Sequence, residues 1–209
     1  MHAISHKHLP WCLNKETLLA HCRCAKDTYT ICIITALLIF VFELWGARFT
    51  QSIALESDAF HVLSDTLMYG VAIVAIIHKG KFAYTAGRIS NLTLIIIGFM
   101  LIFRGMNDFQ TIATRIHGNM LLGIAFIGLL GNAFMSFLLK RTSNDSHDHD
   151  AHHGALIHTL GDFGSSLAVC ILGILLMIFP HNQWIPYLDP VTAVLIGLWI
   201  ACEGIRKLK

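Results

Sequence analysis

The sequence has 209 residues, of which 55% are apolar and only 13% are charged, and its mean hydropathy is +0.63. This composition lies outside the range of an ordinary soluble domain and predicts a protein that is mostly embedded in a lipid bilayer. The net charge is only +2 and no dense run of Lys or Arg is present. Nucleic acid is therefore excluded as a partner.

The first 28 residues are polar and contain several His and Cys residues. No sustained apolar run occurs among them, so no cleavable signal peptide is predicted. His21, Cys22 and Cys24 are soft or borderline ligands that suit Zn²⁺ or Cu⁺. The lack of a Cys-x-x-Cys pair argues against a defined structural zinc site. We interpret residues 1–28 as a cytoplasmic segment that precedes the membrane domain.

Six stretches of the sequence are long and apolar enough to cross a bilayer, for which ~20 residues suffice. The third is the weakest, because its apolar portion is short and is followed by Arg104 and Asp108. Residues 29–209 are thus predicted to form one all-α, polytopic domain, a bundle of six transmembrane helices. The spans are about 29–49, 52–78, 90–109, 118–139, 154–179 and 189–205.

The basic residues predict the orientation of this bundle, because cytoplasmic loops are enriched in Lys and Arg. In the six-span arrangement, every Lys and Arg except Arg48, Arg104 and Arg115 falls on one side of the membrane. That side is taken as the cytoplasm, so the N- and C-termini are both predicted to be cytoplasmic. Arg104 and Arg115 are expected to extend toward the outer interface.

Residues 141–153 interrupt the apolar pattern and are predicted to form a mobile cytoplasmic linker. The segment contains His147, His149, His152 and His153 among several Asp residues. His and Asp in such a segment bind metal weakly and exchange it quickly, so local metal capture is predicted. A linker that is merely solvated is the alternative.

The pattern His-x-x-x-Asp occurs twice within predicted spans, as His61 and Asp65 and again as His158 and Asp162. This spacing places both side chains on one face of a helix. At ~1.5 Å per residue, His61 and Asp65 lie about 14 and 20 Å from the outer start of span two. His158 and Asp162 lie about 10 and 16 Å from an inner start near Ala151, in a core ~30 Å thick. Because these spans run antiparallel, His61 should lie near Asp162, and Asp65 near His158.

Two imidazoles and two carboxylates suit four-coordinate Zn²⁺, whereas an oxygen-only site would suit Mg²⁺, Ca²⁺ or Mn²⁺. Zn²⁺ is favoured, with Cd²⁺, Fe²⁺, Co²⁺ and Ni²⁺ as other possible ions. The alternative to a metal site is that these side chains form hydrogen bonds between the helices without metal. Protons and metal should compete for the histidines.

Asp58, one turn before His61, and Glu43 in the first span are candidates for a cavity lining or a proton relay. No resident cofactor is predicted, since the metal would be cargo.

Two other functional classes would also place a metal within a membrane protein. An intramembrane metal-dependent enzyme of the zinc hydrolase type is the main alternative, but it calls for a His-Glu-x-x-His helix and an open position on the metal. A haem or diiron protein would need paired axial histidines or Glu-x-x-His motifs. The sequence contains neither carboxylate–histidine motif. The missing motifs argue against both classes, and the protein is predicted not to be an enzyme.

Several motifs together resemble the cation diffusion facilitator family, particularly its zinc transporters. They are Asp58-x-x-His61-x-x-x-Asp65 in span two, Ala86-Gly87-Arg88 in the next link, the His-rich loop after span four, His158-Thr159-Leu160-Gly161-Asp162 in span five, and Leu188-Asp189-Pro190 at span six. The resemblance implies a proton-coupled secondary transporter, an antiporter that exports divalent cations from the cytoplasm by alternating access. It further implies a homodimer, and a transport site formed by His61, Asp65, His158 and Asp162.

The resemblance covers about residues 29–205 and carries two further expectations. The histidine in both His-x-x-x-Asp motifs resembles the zinc-selective members of the family, since the manganese transporters tend to have Asp in place of His. Family members commonly continue beyond the last span into a cytoplasmic metal-binding domain that helps them to dimerise, whereas this sequence stops at Lys209. The chain is then either a natural short form or a fragment. A bacterial inner membrane is the expected location, because no organellar targeting signal is present.

Overall fold

The structure is a computed structural model, and it describes residues 24–77, 83–109, 116–143 and 149–208. For residues 141–143, 149–161 and a few other positions at helix ends, the backbone is described but the side chains are not. Within these ranges the chain forms six long α-helices, one short 3₁₀ helix and no strand. The predicted all-α class is confirmed.

The six helices follow the predicted spans in order. The third, which the sequence marked as the weakest, is a full helix of 26 residues. Its polar first turn is supported by Arg88, which lies over the Tyr84 ring one turn earlier at 5.7 Å from the centroid. A 3₁₀ helix, Ile185–Tyr187, leads directly into the last helix. The helices are α1 (Cys24–Thr50), α2 (Ile53–Ile77), α3 (Ala83–Asp108), α4 (Gly118–Ser143), α5 (His149–Ile178) and α6 (Leu188–Leu208).

The linker predicted at 141–153 is too long at both ends. Residues 141–143 continue α4 and residues 149–153 already belong to α5. A polar sequence can extend a helix beyond its apolar part. His147 lies outside the described residues, as do the side chains of His149, His152 and His153, so metal capture there stays a prediction.

Four of the described helices are long and apolar enough to cross a membrane: Lys26–Thr50, Tyr84–Asp108, Gly118–Lys140 and Ile185–Leu208. The apolar segment Asp162–Ile178 of α5 is shorter. In α2, the apolar character is lowered by Glu56, Asp58, His61 and Asp65. The chain is a multi-pass membrane protein, while the count of six spans and the cytoplasmic placement of both termini remain predictions.

The helices pack as a group of four, α1, α2, α4 and α5, and a pair, α3 and α6. In the group, α1 packs on α2 and α4, and α4 packs on α5. In the pair, α3 and α6 run along each other. Helix α2 contacts α1, α3, α5 and α6, so it joins the group to the pair. A Cβ at Gly98 of α3 would lie only 2.7 Å from the Gly197 oxygen and the Ala201 nitrogen of α6. Small residues therefore allow the backbones of α3 and α6 to approach closely.

Replacing Gly98 by Leu should destabilise the bundle, because the side chain would have to displace the backbone of α6. Overpacking of this kind costs about 1–3 kcal/mol, and the melting temperature of the detergent-solubilised protein measures it. Gly123→Leu is the matched control, since a Cβ at Gly123 meets nothing within 4 Å. Equal melting temperatures for the two variants would contradict the close α3–α6 contact.

Candidate metal centre

Besides Asp189 of α6, five acidic or histidine side chains in the described part of the chain are at most 1% exposed: Glu43, Asp58, His61, Asp65 and Asp162. They lie on α1, α2 and α5. Ionisable groups within the membrane are energetically costly and usually mark a functional site. The candidate site is therefore built on these residues.

Three of the five side chains form one compact cluster. His61 and Asp65 of α2 and Asp162 of α5 each offer a ligand atom, and these atoms lie within 4.8 Å of one another. His61 Nε2 lies 2.8 Å from Asp162 Oδ1, which is the pairing that the depth estimate predicts. An imidazole and two carboxylates at this spacing are ligands that suit Zn²⁺.

His158 lies one helical turn before Asp162, within the continuous helix α5. Residues separated by four positions share a helix face, which favours His158 as the fourth ligand. Its side chain is outside the described part of the chain. Its membership of the site, and its predicted proximity to Asp65, therefore stay predictions.

Hydrogen bonds between α4 and α5 orient the turn that carries Asp162. Asn132 of α4 is fully buried and donates from Nδ2 to Ser166 Oγ at 2.9 Å and to the Asp162 carbonyl at 3.4 Å. Ser165 also donates to this carbonyl, at 2.9 Å. The buried amide of Asn132 therefore forms interhelical hydrogen bonds. Asn132 thus supports the backbone of a candidate ligand.

Asp58 and Glu43 lie beside the cluster. Asp58 is one turn before His61, near the hydroxyl groups of Ser165 and Ser166. Glu43 packs so tightly on α4 that a Cβ at Gly128 would overlap its Oε1. Within the described residues, neither carboxylate oxygen of Glu43 has a hydrogen-bond partner. Asp58 and Asp65 lie close enough to interact electrostatically with the Glu43 carboxylate. The centre is therefore flanked by further acidic groups.

Two polar links at the N-terminal end of α2 were missed by sequence reasoning. Arg104 of α3, which was expected to extend to the interface, places Nη1 2.6 Å from Glu56 Oε1 of α2. The Asp189 carboxylate of α6 accepts hydrogen bonds from the start of α2. The sequence showed the acidic residues, and Asp189 within the Leu188-Asp189-Pro190 motif, but not their partners, which are 48 and 137 positions away.

The fold and the cluster define a multi-pass helical membrane protein with an ionisable centre buried between its helices. Residues 29–209 match the family model of the cation efflux transmembrane domain. The chain belongs to this family, and the resemblance to the cation diffusion facilitators is confirmed.

The chain is similar to several transport proteins. It is 25% identical over 181 residues to the cadmium, cobalt and zinc/H(+)-K(+) antiporter of Bacillus subtilis, which covers 81% of this chain and 56% of that protein. It is 25% identical over 179 residues to the zinc transporter ZitB of Escherichia coli, with 80% and 55% covered. It is 24% identical over 227 residues to the probable proton-coupled zinc antiporter SLC30A4 of Homo sapiens, with 92% and 52% covered. The chain spans about half the length of these relatives.

Asp162→Asn should weaken Zn²⁺ binding to the purified protein, because an amide is a poorer ligand than a carboxylate. Changes that only disturb a ligand's support typically cost ~10–100-fold in affinity, so at least a tenfold loss is expected in calorimetric titration. The control is Glu203→Gln, which removes a buried carboxylate of α6 whose oxygen lies 2.8 Å from Lys207 Nζ. If Asp162→Asn and Glu203→Gln bind Zn²⁺ equally well, Asp162 is not a ligand.

Proposed function

We propose that this protein is a secondary transporter that exports Zn²⁺ from the cytoplasm in exchange for protons by alternating access. The observation that carries the proposal is the buried cluster of His61, Asp65 and Asp162, with ligand atoms within 4.8 Å of one another. The relatives from Bacillus subtilis, Escherichia coli and Homo sapiens support it, since each is named a transporter or antiporter of zinc. Cd²⁺, Co²⁺, Fe²⁺ and Ni²⁺ are the alternative cargoes.

In this proposal His61, Asp65 and Asp162 bind the ion directly, with His158 as the fourth ligand. A histidine must be neutral to donate its lone pair to a metal, and it takes up a proton near neutral pH. A proton on His61 and a Zn²⁺ ion at the cluster therefore exclude each other. This mutual exclusion is what the exchange of metal for protons requires.

The zinc hydrolase alternative has no support from the comparisons, because the family and the three relatives are named for cation efflux or transport. Homodimerisation remains a proposal that follows from the family resemblance. The relatives come from bacteria and from mammals, so the bacterial inner membrane also remains a proposal. Metal capture by the histidines at 147, 149, 152 and 153 would deliver ions to the cytoplasmic end of α5.

Transport can be tested with the purified chain in proteoliposomes. Zn²⁺ uptake should be faster when the lumen is more acidic than the medium, because protons leaving the vesicle drive the metal inward. Asp65→Ala should reduce uptake to the level of empty vesicles, whereas the Glu203→Gln control should retain it. Full uptake by Asp65→Ala would overturn the site, and uptake that is indifferent to the pH gradient would overturn proton coupling. Parallel assays with Cd²⁺, Co²⁺, Fe²⁺ and Ni²⁺ give the selectivity.

We also propose that Glu43 and Asp58 relay protons to the centre. Glu43→Gln keeps the size of the side chain but removes its ionisable group. Zn²⁺ binding in a calorimetric titration should be retained, while the stimulation of Zn²⁺ uptake by a pH gradient should fall. Glu43→Asp, which keeps the acid, is the matched control and should preserve most of the stimulation. A Glu43→Gln protein with the stimulation of the wild type would refute the relay role of Glu43.

A further inference from the structure

The N-terminus of α2 is capped by a side chain from another helix. The first N–H groups of a helix have no partner within it. In α2, the amides of Ile53 and Ala54 donate to Asp189 Oδ2 and Oδ1 of α6 at 2.7 and 3.3 Å. The Leu55 amide donates to Ser52 Oγ at 3.1 Å, and Ser52 Oγ in turn donates to Asp189 Oδ1 at 2.5 Å. One carboxylate of α6 therefore bonds to three successive residues at the start of α2.

This joint between α6 and α2 is buried. Asp189 is 0% exposed and Ser52 is 2% exposed. A buried carboxylate is tolerated when several donors bind it, and its charge is favoured at the positive end of the α2 dipole. The chain enters the joint through Gln51, whose φ of 57° turns it sharply out of α1. The start of α2 is thus held tightly to α6, and removing the carboxylate would leave buried donors without a partner.

A second link joins the same turn of α2 to the other helix of the α3–α6 pair. Glu56 lies in the first turn of α2 and pairs with Arg104 of α3 at 2.6 Å. Since α3 and α6 pack along each other, both links connect α2 to one packed unit. Helix α2 also contacts α1 and α5 in the group of four. Its first turn is therefore the place where polar bonds tie it to the pair.

His61 and Asp65 follow this joint on the same continuous helix. Any slip or rotation at the first turn is transmitted along a helix to the residues that face Asp162. We propose that Asp189 is a positioning residue for the metal centre, which joins α2 to the α3–α6 pair and thereby sets the depth and rotation of His61 and Asp65. The inference rests on the proposed function, because its readout is Zn²⁺ transport. A misplacement of about 1 Å at a reacting centre can cost ~100-fold, so the centre should be sensitive to this joint.

The first test measures the kinetics of Zn²⁺ uptake by Asp189→Ala in proteoliposomes. The KM for Zn²⁺ should rise by ~10–100-fold, because the ligands are misaligned in every molecule. A merely structural role would reduce the fraction of active protein, which lowers Vmax and leaves KM unchanged. The control is Asn91→Ala, which removes a hydrogen bond of 3.1 Å from Asn91 to the Lys207 carbonyl within the α3–α6 pair and should leave KM unchanged.

The second test separates the joint from simple capping of α2. In the double variant Ser52→Asp, Asp189→Ala, the new Asp side chain can cap α2 from its own N-terminus but provides no bond to α6. Its melting temperature should recover toward that of the wild type, while its KM should stay raised. A double variant whose KM returns to the wild-type value would overturn the inference, since Asp189 would then act only as a cap.

The outcomes also separate this inference from the proposed function. A wild-type protein that moves no Zn²⁺ would overturn the proposed function. Wild-type uptake together with an unchanged KM in Asp189→Ala would overturn the positioning role alone. If Asp189→Ala gives no folded protein, Asp189→Asn replaces it: the side chain keeps its size but its amide NH2 faces a donor of α2, so KM should still rise, and an unchanged KM would overturn the positioning role.

Discussion

Asp65, Asp162 and His61 bring two carboxylates and an imidazole together inside an apolar bundle, where charge without compensation is costly. The 2.8 Å approach of His61 to Asp162 provides part of the compensation. A divalent cation would neutralise both carboxylates at once, and protons would do so in its absence. The same electrostatic requirement thus has two solutions, and alternation between them is the basis of the proposed metal and proton exchange.

The rest of the bundle can be understood from the need to hold these groups in register. Asn132 ties α4 to the turn of α5 that carries Asp162. Asp189 and Arg104 tie the start of α2 to α6 and α3. Helices in lipid gain little from hydrophobic association, so close packing of small residues and such polar bonds determine how they fit together. In the proposed function, the geometry of the metal ligands depends on these polar bonds between helices.

Part of the site followed directly from the sequence, because the His-x-x-x-Asp spacing places His61 and Asp65 on one helix face whatever the fold. The antiparallel depth estimate also predicted that His61 lies near Asp162. The extent of the linker at 141–153 was predicted less well, since hydropathy marks where the apolar stretch ends and not where the helix ends. The hydrogen bonds of Asn132 likewise needed the structure, since they depend on which residues of α5 face α4.

The sequence by itself determined the all-α membrane class, the cation efflux family and the doubled motif, because hydropathy, helical period and motif spacing are local properties of a chain. Only the tertiary structure decided that Asp189 caps α2, that Arg104 pairs with Glu56 and that Glu43 packs on Gly128. These contacts depend on the relative depth and axial rotation of whole helices. Depth and rotation result from the packing of many side chains far apart in sequence, and no single segment encodes them.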